Sequence, residues 1–194
     1  RPPAGPGQPA GGARIRGGSL RSGTMQITET LVYPAAIEVV FDMMTDEAFH
    51  SRVCEATHAM SYSATVSRQS DGATVITHRE MPTNSFPDFA RSMVGQSIDI
   101  VETIVYGPPG PHGTRIGEMS ISMGSAPIHL KGDIRIIPAD DGTEVIIEGN
   151  LKASIPFVGG KVESAAAPSV ISGIHKEYGV GLAWLAERGH TDQG

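Results

Sequence analysis

From Ala56 to Ile155 apolar and polar side chains alternate at every second position in one segment after another, and from Phe157 to about Arg188 the apolar spacing lengthens to three or four residues. Alternation at period two marks strands with one buried face; spacing of three to four marks an amphipathic helix. Successive strands joined by tight turns make an antiparallel sheet, and the apolar face of that sheet must be covered. The chain offers one long helix to cover it.

The segments fall in a definite order. Gln26–Tyr33 alternates, with Ile27, Glu29, Leu31 and Tyr33 on one side. Pro34 ends it and suits the first turn of a helix. Ile37, Val40, Phe41 and Met44 follow at helical spacing. Thr45-Asp46 reads as a cap between two short helices, the second carrying Ala48, Phe49, Val53 and Cys54. Ala56–Ser67 places His58, Met60, Tyr62, Ala64 and Val66 on one strand face, and the turn Gln69–Gly72 sends the chain back along Ala73–Met81. Pro82–Met93 reads as a loop with one helical turn. Gly95–Tyr106, Thr114–Met123, Ile128–Ile137 and Thr143–Ile155 complete the strands. The expected fold is α+β: a curved antiparallel sheet of about six or seven strands, two short helices after strand 1, and a long C-terminal helix over the concave face. A twisted sheet wrapped on a single helix leaves a cavity wherever side chains are small.

The long helix spans about 30 residues, or about 45 Å. Its apolar stripe reads Val170, Ile174, Tyr178, Leu182 and Leu185, with Lys176, Glu177, Glu187 and Arg188 off it. Pro168 predicts a bend near Ala167–Pro168. Gly173, Gly179 and Gly181 each weaken an exposed helix by about 1 kcal/mol relative to alanine. Gly159-Gly160 reads as the turn from the last strand onto the helix, forming a flexible cavity mouth with the bend.

Charge is unevenly placed. Residues 1–24 hold seven glycines, four prolines and Arg1, Arg14, Arg16 and Arg21, with no acid. Such a segment cannot bury enough surface to offset its ordering entropy, so 1–24 and 190–194 are expected to be disordered tails around a domain at 25–189. Without those four arginines the chain has 11 basic and 21 acidic residues, a net of −10. A body this acidic repels nucleic acid and anionic membrane surfaces. No segment nears the roughly 20 apolar residues of a membrane helix, which argues against stable insertion. The lone Cys54 suits a reducing, cytoplasmic compartment and reads as a small buried hydrophobe.

Motifs of common chemistry are missing. Gly159-Gly160-Lys161 ends like a phosphate loop, but its first glycine would fall at Ile155 and Val162 replaces the Ser/Thr. The seven histidines show no paired helical spacing for a metal. There is no G-x-S-x-G or H-E-x-x-H. No cofactor is expected.

The informative polar residues are those in phase with apolar strand faces: Tyr62, Glu102 and Tyr106, with either His78 or Arg79 depending on hairpin register. A buried Glu102 needs a cation, and Arg79 is the natural one. The apolar lining would be Met60, Met119, Ile121, Met123, Ile134, Ile136, Val145, Ile147 and Leu151. Methionines adapt to varied ligands. At 5% aromatic residues, few large side chains are available to fill the gap beneath the helix. These features point to a binding module for a hydrophobic or amphipathic small molecule, with Met60, Tyr62, Arg79, Glu102, Tyr106, Met119, Ile121, Met123, Ile134, Ile147 and Leu151 as the binding set. The alternative is a cyclase- or dehydratase-type enzyme using Tyr62, His78, Glu102 or Tyr106 as acid or base. A third reading is a regulatory interaction module.

ITETLVYPAAIEVVFDMMTDEAFHSRVCEATHA resembles the opening of a START-like (SRPBCC, helix-grip) domain, with its strand, proline and paired helices. THREMPTNSFPDFARSMVGQ, LKASIPFVGGKVESAAAP and the late Trp184 are similar to stretches of an uncharacterised actinobacterial family in that superfamily, over 25–188. The superfamily includes polyketide cyclases, pollen-allergen-type carriers and lipid-transfer domains. The resemblance implies the helix-grip fold; a lipid, polyketide or isoprenoid-like ligand is what the binding-module reading expects.

Overall fold

The computed structural model describes residues 24–124 and 126–189. The expected tails at 1–24 and 190–194 lie, but for Thr24, outside the described residues.

Seven strands form one antiparallel sheet in the order β1-β7-β6-β5-β4-β3-β2. They are β1 (Met25–Tyr33), β2 (Ser61–Arg68), β3 (Ala73–Pro82), β4 (Ser97–Tyr106), β5 (Arg115–Met123), β6 (Ile128–Ala139) and β7 (Gly142–Ala153). Helices α1 (Ile37–Met44) and α2 (Glu47–Ala56) follow β1, α3 (Asp88–Val94) follows β3, and α4 (Gly159–Glu187) ends the described chain. The expected α+β architecture is present. Burial alternates along the strands as the sequence does: Met119, Ile121 and Met123 of β5 and Val145, Ile147 and Leu151 of β7 all point to the concave, buried face. On β3 the buried phase is Ala73, Val75 and Thr77, so Arg79 faces inward and His78 outward.

Three local readings are corrected. The second strand begins at Ser61, not Ala56, because α2 runs through Ala56 and then closes on itself. The Thr57 hydroxyl donates back to Val53 O at 2.9 Å, and the Ala59 amide to Cys54 O at 3.0 Å. His58 takes the left-handed conformation that this turn requires. The presumed loop at 82–93 contains the two-turn helix α3. The turn into α4 is made by Pro156–Val158, with Phe157 at φ 66°; Gly159 and Gly160 are already helical.

Helix α4 is pinned to the sheet by two carboxylates. Glu163 Oε1 accepts the Ala153 amide at 2.9 Å, tying the first turns of α4 to the end of β7. Glu29, inward on β1 and 4% exposed, meets His175 Nε2 at 2.9 Å. The helix continues through Pro168, where proline has no amide to give Ser164 O.

The expected stripe of α4, Val170, Ile174, Tyr178, Leu182 and Leu185, packs against the core, and the inward face is wider than that stripe. Glu163, Ala166, Ala167, Gly181, Trp184 and Leu185 are buried, and Val170, Ile174 and Glu177 lie in line with them. Tyr178 sits on the flank, where its hydroxyl donates to Val32 O at 2.8 Å. Gly181 is a contact rather than a weakness: a Cβ there would fall 2.5 Å from Tyr33 Cε1. Large aromatics gather at this end of the helix. Phe49 packs edge-on to Trp184 at 5.7 Å, Tyr33 to Tyr178 at 5.2 Å, and Phe41 to Tyr106 at 5.4 Å. The N-terminal half of α4 has no such filling.

Candidate functional site

Where the aromatics stop, a cavity of about 500 Å³ opens between the N-terminal half of α4 and the concave face of β3–β7. The walls are apolar. The sheet contributes Met81, Ile98, Ile100, Met119, Ile121, Met123, Leu130, Ile134 and Ile147, and the helix Ala166, Val170 and Ile174. Gly173 also lines it, and a Cβ placed there would meet nothing within 4 Å. The opening runs between the exposed flank of α4 (Pro168, Ser169, Ser172 and Lys176) and the Thr57-His58 turn and Asn84–Phe86 loop. Gly159 and Gly160, expected at the mouth, do not line it.

Charge enters this apolar space from three side chains: Arg79 on β3, Glu102 on β4 and Glu177 on α4. Residues 79 and 102 come from neighbouring strands, with Thr77 directly opposite Glu102. Arg79 Nη2 donates to Glu102 Oε2 at 3.2 Å, and the Thr77 hydroxyl donates to the same oxygen at 3.4 Å. The paired side chains are only 17% and 14% exposed, so the attraction between them is little screened. Removing one partner of such a pair strands the other's charge.

Glu177 is different. Among the described residues it makes no hydrogen bond or ion pair. Burial of its carboxyl among protein atoms, with the nearby negative charge of Glu102, raises its pKa from 4.5 to about 7, against a smaller downward pull from Arg79. Behind this cluster lie Tyr33 and Tyr106, whose hydroxyls are buried without partners among the described residues. Burial, with the field of Glu177, pushes both phenols well above their usual range. On α2, burial raises the Cys54 thiol and lowers the His50 imidazole. His50 Nε2 faces Met44 O at 2.9 Å; a carbonyl can only accept, which assigns the proton to Nε2.

The structure therefore brings together Arg79, Glu102, Met119, Ile121, Met123, Ile134 and Ile147 from the expected binding set. It leaves out four. Met60 precedes β2 and is 62% exposed, because the Thr57-His58 turn delays the strand. Tyr62 is on the expected face but on an edge strand, where its hydroxyl donates to Glu55 at 2.6 Å. Tyr106 is packed under Phe41 and against Gly117, outside the cavity. Leu151 is fully buried in the core. Glu177, Phe86 and Gly173 line the cavity without having been expected. The only sequence signal for Glu177 is its place in the three–four repeat of residues 170, 174, 177, 181 and 184, which a carboxylate alone does not mark as inward. Among the described residues no three His, Cys, Asp or Glu side chains converge as metal ligands.

A family model described as "Protein of unknown function (DUF2505)" matches residues 28–185. The chain belongs to the DUF2505 family. No curated protein matches the sequence. Solved structures similar to this DUF2505 chain include a STAR-related lipid transfer protein from Xanthomonas axonopodis, at 12% identity and a TM-score of 0.57, covering 87% of this chain and 90% of that one. Another is the Zhui aromatase/cyclase from Streptomyces sp. R1128, at 9% identity and a TM-score of 0.61, covering 88% and 99%. A third is a START superfamily protein from Mycobacterium smegmatis, at 13% identity and a TM-score of 0.51, covering 84% and 99%. At these identities the likeness is one of fold: this DUF2505 member has the START-like fold. No described helix is long and apolar enough to cross a membrane.

Proposed function

We propose that this protein binds a hydrophobic or amphipathic small molecule, of lipid, polyketide or isoprenoid-like character, in the cavity beneath α4. The observation that carries this is the cavity itself: about 500 Å³, walled mainly by apolar side chains, with Arg79, Glu102 and Glu177 inside and Lys176 at the opening. That volume lies within the roughly 300–1,000 Å³ of small-molecule sites, whose few polar groups orient the ligand. Apolar space of this size costs stability if nothing fills it. Gly173 supports the reading too, because alanine would fit there and would strengthen the helix, yet the position keeps its space open. The lipid transfer and aromatase/cyclase structures that share the fold add the weight of analogy. The buried lone Cys54 supports a reducing, cytoplasmic setting.

Catalysis is a second reading, favoured by one observation. Glu177 holds its proton to about pH 7, the range in which a general acid or base works best. A cyclase- or dehydratase-type step would run through Glu177, since Tyr62, His78 and Tyr106 lie outside the cavity. Binding fits better because Glu102, the other carboxylate, is held by Arg79.

The test is displacement of the uncharged fluorescent probe N-phenyl-1-naphthylamine by 1-dodecanol, in the wild type and in Gly173→Leu. The leucine fills the cavity from the helix side. The wild type should take up the probe and release it to dodecanol, and the variant should bind it about tenfold more weakly. Equal binding by both proteins, or by neither, would refute the proposal.

A further inference from the structure

We propose that the ligand carries a basic nitrogen, and that Glu177 binds it as the ammonium ion. This rests on the binding reading above and names the polar head that the cavity selects. The argument is one of charge balance in an apolar space. Five ionisable side chains line the cavity: Arg79, Glu102 and Glu177 within it, and His58 and Lys176 at its exposed opening. The positive charge of Arg79 is paired with Glu102 at 3.2 Å. Glu177 is left as a carboxylate with no partner among the described residues.

No neighbouring group supplies the missing cation. From β1 and β4 Glu177 is faced by the phenols of Tyr33 and Tyr106 and by the carboxylate of Glu102. From β3 it is faced by the engaged Arg79. From α2 comes the Cys54 thiol; His50, nearer Glu102 and Arg79, is a buried ring kept neutral by that burial, with its Nε2–H given to Met44 O. Lys176 and His58 border the opening, but both are exposed to water and neither pairs with Glu177. A half-buried carboxylate that faces an apolar cavity without a cation keeps a proton instead, and Glu177 does so up to about pH 7.

Three kinds of head group can then be compared. A carboxylate would bring a third anion to a single guanidinium already in use, which is the least favourable arrangement. An alcohol can donate one hydrogen bond to Glu177 but leaves the negative charge uncompensated. An ammonium supplies both the charge and up to three donors, and charge-assisted hydrogen bonds are roughly twice as strong as neutral ones. The apolar wall takes the chain and Glu177 takes the nitrogen.

The experiment measures binding of dodecylamine, 1-dodecanol and dodecanoate below their aggregation limits, at about pH 8, where the amine is protonated. The proteins are the wild type, Glu177→Gln and Gly173→Leu. In the wild type dodecylammonium should bind at least about tenfold more tightly than dodecanol, and dodecanoate should bind weakest. In Glu177→Gln the preference for the amine over dodecanol should disappear, with a cooperative thermal unfolding transition showing that the variant is folded. In Gly173→Leu amine binding should fall with the rest. Dodecanol or dodecanoate binding as tightly as the amine would overturn the proposal and leave the binding reading standing. An amine preference that survives Glu177→Gln, or amine binding that survives Gly173→Leu through the acidic surface, would also overturn it. Failure of all three compounds to bind would overturn both this proposal and the binding reading.

Discussion

Glu177 is the residue with most leverage on both stability and function. The folded protein holds its proton to about pH 7, whereas an exposed glutamate loses it near 4.5. Between those values the folded state binds more protons than the unfolded state, so stability falls as pH rises through that window. Below it both forms are protonated and the carboxyl costs nothing; above it the full cost is present. Glu177→Gln should therefore stabilise the protein at about pH 8 by up to about 3 kcal/mol and change little at about pH 4.5, as read from urea denaturation at the two pH values. Equal shifts at both would mean that the carboxyl is already ionised when folded. Arg79 and Glu102 behave differently. The sequence makes Arg79 the natural cation for Glu102 and leaves His78 or Arg79 open as the inward residue; the structure turns Arg79 inward and pairs it with Glu102 at 3.2 Å. Glu177 was not readable in the same way, because a polar residue on a helix is assigned to the solvent face unless a cavity is already known to lie beneath it.

At the level of elements, α4 divides into two halves with different tasks. The C-terminal half packs tightly: Gly181 lets Tyr33 approach, and Trp184 is sandwiched by Phe49, Arg52 and Arg188. The N-terminal half roofs the cavity, with Gly173 facing open space. Two glycine-to-alanine changes in one helix should thus act in opposite directions. Gly173→Ala should stabilise by up to about 1 kcal/mol, because helix propensity improves with no clash. Gly181→Ala should destabilise by about 1–3 kcal/mol, because the new methyl group meets the Tyr33 ring. Thermal denaturation of both variants checks this, and a shift in the same direction for both would contradict the division. The sequence pattern located every strand and the length of α4, because period two and period three–four persist over many residues. It failed where the period is interrupted. At Ala56–Met60 a helix end mimics alternation, so Met60 was placed inside. At 82–93 the short helix α3 lies among prolines. At Pro156–Val158 a phenylalanine, rather than the adjacent glycines, adopts the left-handed turn.

For the whole molecule, fold and cavity follow from one imbalance. A sheet of seven strands exposes more concave surface than a single helix with few large side chains can fill. Aromatics close the end beneath α1, α2 and the last turns of α4, and the remainder stays open. Edge position explains why Tyr62 does not reach the site although its phase is right: β2 is the outermost strand, beyond the span of α4. Binding should therefore be stoichiometric and internal. The most direct measurement is native mass spectrometry of the full chain with a saturating twelve-carbon alcohol, for the wild type and for Gly173→Leu. The wild type should carry one ligand per chain, released when the protein is unfolded in organic solvent, and the variant should be recovered without it. A wild-type spectrum of ligand-free protein alone, or equal occupancy in the two proteins, would contradict the cavity as the site of function.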